Sequence, residues 1–207
     1  MLKLILKELR IHAPFTFFGA FTGIIVMMFF KNLPLEISYN IFYVLHPIHV
    51  VLSALVTASI YELHECGRIN SKCIKGKCNF WILLVIGYAG SVGIATISDS
   101  IIPFVGEAIL KLPNRGIHLG FIEKWWLVNP LALLGGVIAY YKPTTRIPHA
   151  GHVLLSTWAS LFHVIMAAGG VLSGLGYVVV AIFIFFAVWI PCCVSDIVFP
   201  LLFVKKK

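Results

Sequence analysis

The stretch His46-Pro47-Ile48-His49-Val50-Val51-Leu52-Ser53 occurs a second time, 103 residues further on, as His149-Ala150-Gly151-His152-Val153-Leu154-Leu155-Ser156. Five of the eight positions are identical, and three of those five are the polar His, His and Ser. Matches of Val or Leu carry little information in a chain that is 60% hydrophobic. A His-x-x-His pair with a Ser four residues later, set in apolar sequence, carries more. A second pattern recurs with it. The two aspartates of the chain both stand in Ser-Asp-x-x-x-Pro, as Ser98-Asp99 with Pro103 and as Ser195-Asp196 with Pro200. Each half of the chain thus contains a His-x-x-His segment followed by a Ser-Asp segment.

Both motifs sit in apolar runs of membrane-spanning length. The 207 residues carry only 12% charged residues and have a mean hydropathy of +0.98, far from the composition of soluble domains. A helix needs roughly 20 apolar residues to cross the hydrocarbon core. Six segments approach that length: Ala13 to Phe30, Ile37 to Tyr61, Phe80 to Phe104, Trp125 to Tyr141, Pro148 to the Gly169-Gly170 region, and Tyr177 to Val204. The expected fold is therefore all-α, a polytopic membrane protein of six transmembrane helices. The formal charge of +8 does not point to nucleic acid, because the basic residues avoid the apolar runs and gather between and beyond them. Met1 to Arg10 forms a basic lead without a small-residue cleavage pattern and is expected to remain attached to the first helix.

The distribution of Lys and Arg sets an orientation. With the N-terminus cytoplasmic, twelve of the sixteen fall on the inner side and only Lys31, Lys111, Arg115 and Lys124 on the outer. That bias predicts a multi-pass cell-membrane protein with both termini cytoplasmic. A three-helix unit used twice in series must enter the membrane from opposite sides. Residues 1–112 and 113–207 therefore read as two inverted three-helix repeats, an arrangement common among transporters.

Residues three apart share a helix face. His46 and His49 can point at one ion with Asp99 supplied from the neighbouring helix, and His149, His152 and Asp196 can do the same in the second half. Two imidazoles and a carboxylate suit Zn, Mn, Fe, Co or Ni better than the all-oxygen preferences of Ca and Mg. Ser98 and Ser195 are placed to orient the adjacent carboxylates, Ser53 and Ser156 follow the His pairs, and His163 is an additional candidate ligand further along the fifth helix. The competing reading is that these groups are interhelical hydrogen bonds that hold the bundle together. Counting residues from the helix ends puts His49 and Asp99 in the outer half, and His152 and Asp196 near the cytoplasmic end. On that count the clusters form two sites, or two gates of one pathway.

Weaker candidates surround these. Glu62, His64, Glu65 and Cys66, with Cys73 and Cys78, make a loop cluster whose spacing fits no standard zinc pattern. Cys192-Cys193 precede Asp196 on the same helix and could add a thiolate, though inert buried thiols are the expected reading. Glu107, Glu123 and His118 are expected to be solvated outside the membrane, and Gly19, Gly23, Gly135, Gly136, Gly169 and Gly170 to allow close helix packing. The functional expectation is a transporter or permease for a transition-metal ion or a proton-coupled small solute, with the lipid bilayer as its surroundings. The alternatives are a membrane-embedded metal-dependent enzyme acting on a lipid and a b-type haem protein with His49 and His163 as axial ligands.

Overall fold

The computed structural model describes residues 2–30, 32–65, 68–69, 72–73, 79–170, 172 and 174–204. The helices are α1 (Leu2–Phe30), α2 (Leu35–Glu65), α3 (Phe80–Thr96), α4 (Ile102–Ile109), α5 (Gly120–Glu123), α6 (Trp125–Tyr141), α7 (Arg146–Ala168), α8 (Gly174–Cys193) and α9 (Phe199–Leu202). Between α2 and α3, β1 (Arg68–Ile69) and β2 (Lys72–Cys73) pair antiparallel. Among the described residues, five helical runs are long and apolar enough to cross a membrane: Ala13–Phe30, Leu35–Glu65, Phe80–Ile109, Ile147–Ala168 and Gly174–Leu201. At 17 residues, α6 is apolar but shorter, spanning about 25 Å at the α-helical rise.

Two of the long runs are interrupted by a turn of π-helix, Ile97–Ile101 between α3 and α4 and Val194–Val198 between α8 and α9. Proline explains both. Pro103 lacks the N–H that would bond to the carbonyl of Asp99, and its ring crowds that carbonyl. The ladder slips by one residue, so that the Ile102 N–H donates to the Ile97 carbonyl, the i→i+5 pattern of a π-bulge. Pro200 stands in the same relation to Asp196. The widened turn lets consecutive residues face inward: Ser98, Asp99 and Ser100 are all buried, as are Ser195, Asp196 and Ile197.

The central element is α2, which packs against α7, α6 and α3, while α1 lies against α7 and α8. Small residues allow these approaches. A Cβ on Gly135 would run into the Val51 carbonyl, and one on Gly87 would stand 3.1 Å from Ala58 Cβ. Gly19 faces Thr157 and Gly23 faces Leu161 in the same manner. Gly169 and Gly170 do something else. They follow α7 with φ of 53° and 85°, the left-handed geometry that ends a helix and that favours glycine. Phe17, Phe18, Phe21, Val85, Leu175 and Ile182 are exposed along the outside of the bundle, where lipid tails replace water as the favourable neighbour. Trp81, Trp125 and Trp126 are exposed at helix ends, as interfacial aromatics are.

Several elements run further than the apolar pattern alone implies. The second helix continues past Tyr61, so Glu62 is a buried residue of α2 and not part of a loop cluster. His64 donates from Nδ1 to the Ile60 carbonyl, 2.8 Å away, on the exposed side of the same helix. The Cys66, Cys73 and Cys78 side chains lie outside the described residues. The third run continues five residues beyond Phe104, to Ile109, which brings Glu107 inside the bundle.

Candidate metal centre

Asp99 lies on the π-turn between α3 and α4 and is fully buried. Four donors surround its carboxylate. His46 Nδ1 and His49 Nδ1, both from α2, lie 2.9 Å and 2.7 Å from Oδ2. On the other oxygen, the hydroxyl of Ser98 donates across 2.8 Å and that of Ser156, from α7, across 2.6 Å. A buried carboxylate without such partners would be prohibitively costly. Here every lone-pair direction that the carboxylate offers can be used.

Asp196, on the second π-turn, is equally buried. His149 Nδ1 and His152 Nε2 of α7 stand 2.8 Å and 2.7 Å from its Oδ2. Thr57 of α2 donates its hydroxyl to Oδ1 at 3.5 Å. The expected role of Ser195 is not seen: its hydroxyl donates to the Gly90 carbonyl at 3.2 Å and lies 3.3 Å from Thr57 Oγ1. A Cβ on Gly90 would come within 2.8 Å of Thr57, so the bare backbone there lets Ser195 and Thr57 pack against it. Ser53 is buried on α2. Each carboxylate is thus reached by a hydroxyl from the helix that carries the other His pair, Ser156 for Asp99 and Thr57 for Asp196.

The two clusters meet. The His49 and His152 rings stack with centroids 5.5 Å apart and planes inclined by 23°. Counting along the helices separates the copies because it measures each residue from its helix end. Packing overrides that count: α2 and α7 lie side by side, and His49 and His152 meet between them. Among the described residues, three groups have donor atoms within 4.8 Å of one another: His46, His49 and Asp99; His49, His152 and Cys192; and His149, His152 and Asp196. Each group shares one histidine with the next.

Distances distinguish what the carboxylates do in this arrangement. Two ligands of a tetrahedral zinc ion, each about 2.0–2.1 Å from the metal, stand about 3.3 Å from each other. The His–Asp99 separations of 2.7 and 2.9 Å are hydrogen-bond lengths instead. As arranged, His46 and His49 donate Nδ1–H to Asp99 and present Nε2 as the lone-pair nitrogen. A carboxylate in this position fixes the tautomer and orientation of a metal-binding imidazole.

The row of polar groups continues toward the end of the bundle where α2 begins. Phe42, fully buried, stacks on His46 at 5.2 Å and meets the His163 ring edge-on at 5.5 Å. His163 lies 2.6 Å, through Nδ1, from Glu107 Oε1, and both are buried. This corrects the expectation of a solvated Glu107. The signal for it was available, since Glu107 lies two further turns along the face that carries Asp99. His118 meets His163 at a ring separation of 5.2 Å and lies 3.3 Å from Glu123 Oε2. Glu123 is not simply solvated either: Tyr43 donates its hydroxyl to the same oxygen at 2.7 Å. Burial by itself would raise the Glu123 carboxyl. The Tyr43 hydroxyl, the nearby His118 and the Leu119 N–H outweigh it and hold the group below its ordinary value. Comparison with family models, with curated proteins and with solved structures finds no match to this chain.

Proposed function

We propose that this chain is an integral-membrane transporter for a divalent transition-metal ion, with His46, His49, Asp99, His149, His152 and Asp196 forming the path that the ion follows. The observation that carries the reading is the overlap of donor groups through His49 and His152. An ion held by one group can exchange ligands with the next without leaving coordination, and a conducting path needs such multiple weak sites. Ionisable groups inside a membrane are costly, and their concentration along one interior line favours a pathway.

The proposed architecture is two inverted three-helix repeats, residues 1–112 and 113–207, with α6 as the sixth span and both termini cytoplasmic. The matching π-turns at Ser98-Asp99 and Ser195-Asp196 support the repeat, as does the reciprocal donation of Ser156 and Thr57. His163, with Glu107, extends the path toward the outer face. Purified protein in liposomes is expected to move Zn, Mn, Co or Ni down a gradient, and the double variant His49→Ala/His152→Ala to lose that flux while keeping its helical content. Flux unchanged in the folded double variant rejects the proposal. The close His–Asp pairs also support proton-coupled movement of a small solute. An internal pH dye separates the two, because only coupling acidifies the lumen as solute enters.

A further inference from the structure

Several buried histidine nitrogens meet no hydrogen-bond partner, and two of them lie on facing rings. His49 turns Nδ1 to Asp99 in a hydrogen bond, whereas His152 Nε2 stands 2.7 Å from Asp196 Oδ2 as an ion-pair contact without hydrogen-bond geometry. Their other nitrogens, His49 Nε2 and His152 Nδ1, are fully buried and meet no hydrogen-bond partner. A buried polar atom in that condition is destabilising, and here two of them lie on adjacent, nearly parallel rings. Cys192 of α8 completes the group. Its thiol sulfur and one nitrogen from each ring lie within 4.8 Å of one another, and Cys192 itself is buried. It stands one helical turn before Asp196, so the helix that orients His152 also delivers the sulfur.

We infer that this junction is a binding site for one borderline divalent transition-metal ion, of the Zn(II) or Co(II) class, with His49 Nε2, His152 Nδ1 and Cys192 Sγ as its protein ligands. The inference rests on the metal reading above and specifies where the ion pauses. A thiolate with two imidazoles favours these ions over the all-oxygen preferences of Mg and Ca. Three protein ligands leave a fourth position open, as in sites that exchange their ligands. The carboxylates then act through the histidines: Asp99 holds His49, and Asp196 holds His152, each with its free nitrogen toward the junction. Ligation replaces the S–H bond by a metal–sulfur bond, and one proton is released for each ion bound.

Cobalt(II) reports the ligand set directly, because a thiolate gives an intense near-ultraviolet charge-transfer band that nitrogen and oxygen ligands do not. The protein for the test is the full chain in detergent with Cys66, Cys73, Cys78 and Cys193 replaced by Ala, so that Cys192 is the remaining thiol. The expected result is a charge-transfer band that saturates at one cobalt per chain and disappears in the further variant Cys192→Ala, with zinc competition weakened about tenfold or more. Cobalt bound with visible d–d bands but no charge-transfer band overturns the junction site while leaving a metal-binding interior intact. A band that survives Cys192→Ala also overturns it. No cobalt binding by folded protein overturns both this inference and the metal reading. A thermal melt of Cys192→Ala, compared with its parent, shows whether lost binding reflects lost ligation or lost folding.

Discussion

Replacing Asp99 by Asn tests the role assigned to the carboxylate. The change keeps shape and volume but removes one acceptor oxygen and adds two donors. Asp99 accepts from four groups, two imidazoles on Oδ2 and two hydroxyls on Oδ1. An Asn can satisfy only one of those pairs. If its oxygen faces Ser98 and Ser156, its NH2 faces His46 and His49. The imidazoles must then move their protons to Nε2, the nitrogen that would otherwise bind metal. If the amide is turned, the hydroxyls lose an acceptor and the imidazoles keep a weaker, neutral one. Loss of a carboxylate that orients a metal-binding His typically weakens affinity about 10–100-fold, or about 1.4–2.7 kcal/mol. The stability cost is smaller, since interhelical hydrogen bonds in membranes average about 0.6 kcal/mol each. Competition of purified Asp99→Asn against a fluorescent zinc chelator measures the affinity, and a thermal melt measures the fold. Affinity within about threefold of the parent, in a folded variant, refutes an orienting role. A lowered melting temperature without zinc binding in either protein assigns the cluster to helix packing instead.

Two further outcomes follow from local geometry. A Cβ at Gly120 would stand 2.6 Å from His46 Nε2, so Gly120→Ala is expected to push His46 off Asp99 and weaken zinc binding about tenfold; unchanged affinity means that His46 contributes nothing to it. Glu123, held below its ordinary value by Tyr43, His118 and Leu119, stabilises the fold above the unfolded carboxyl pKa of about 4.3 and loses that contribution as pH falls through its lower folded value. The melting-temperature gap between the parent and Glu123→Gln is therefore expected to be open at pH 7 and to close as pH falls through the lowered folded value. A gap independent of pH contradicts the assignment.

The residues that converge at the centre were legible because polar groups are expensive in lipid and these occur twice in the same spacing. His46, His49, Asp99, His149, His152 and Asp196 all reach the same interior. What the linear pattern did not contain was depth. The distance of His152 from the start of α7 says nothing about the lateral packing that sets it against His49. The π-turns were present in outline as Ser-Asp-x-x-x-Pro, since a proline four residues past a carbonyl must disturb the helix there. Hydropathy averages hid Glu107, because one carboxylate beyond Phe104 looks like the end of a span until its partner His163 is placed beside it. Thr57 was missed for a similar reason: a hydroxyl among apolar residues carries no sign that it faces Asp196.

Elemental analysis of the purified protein decides whether the overlapping His/Asp groups bind a transition metal. After growth in medium supplemented with Zn, Mn, Fe, Co and Ni, at least one transition-metal ion per chain is expected, lost in His49→Ala/His152→Ala. Folded parent protein with no transition metal above background, both as purified and after incubation with each ion, contradicts it.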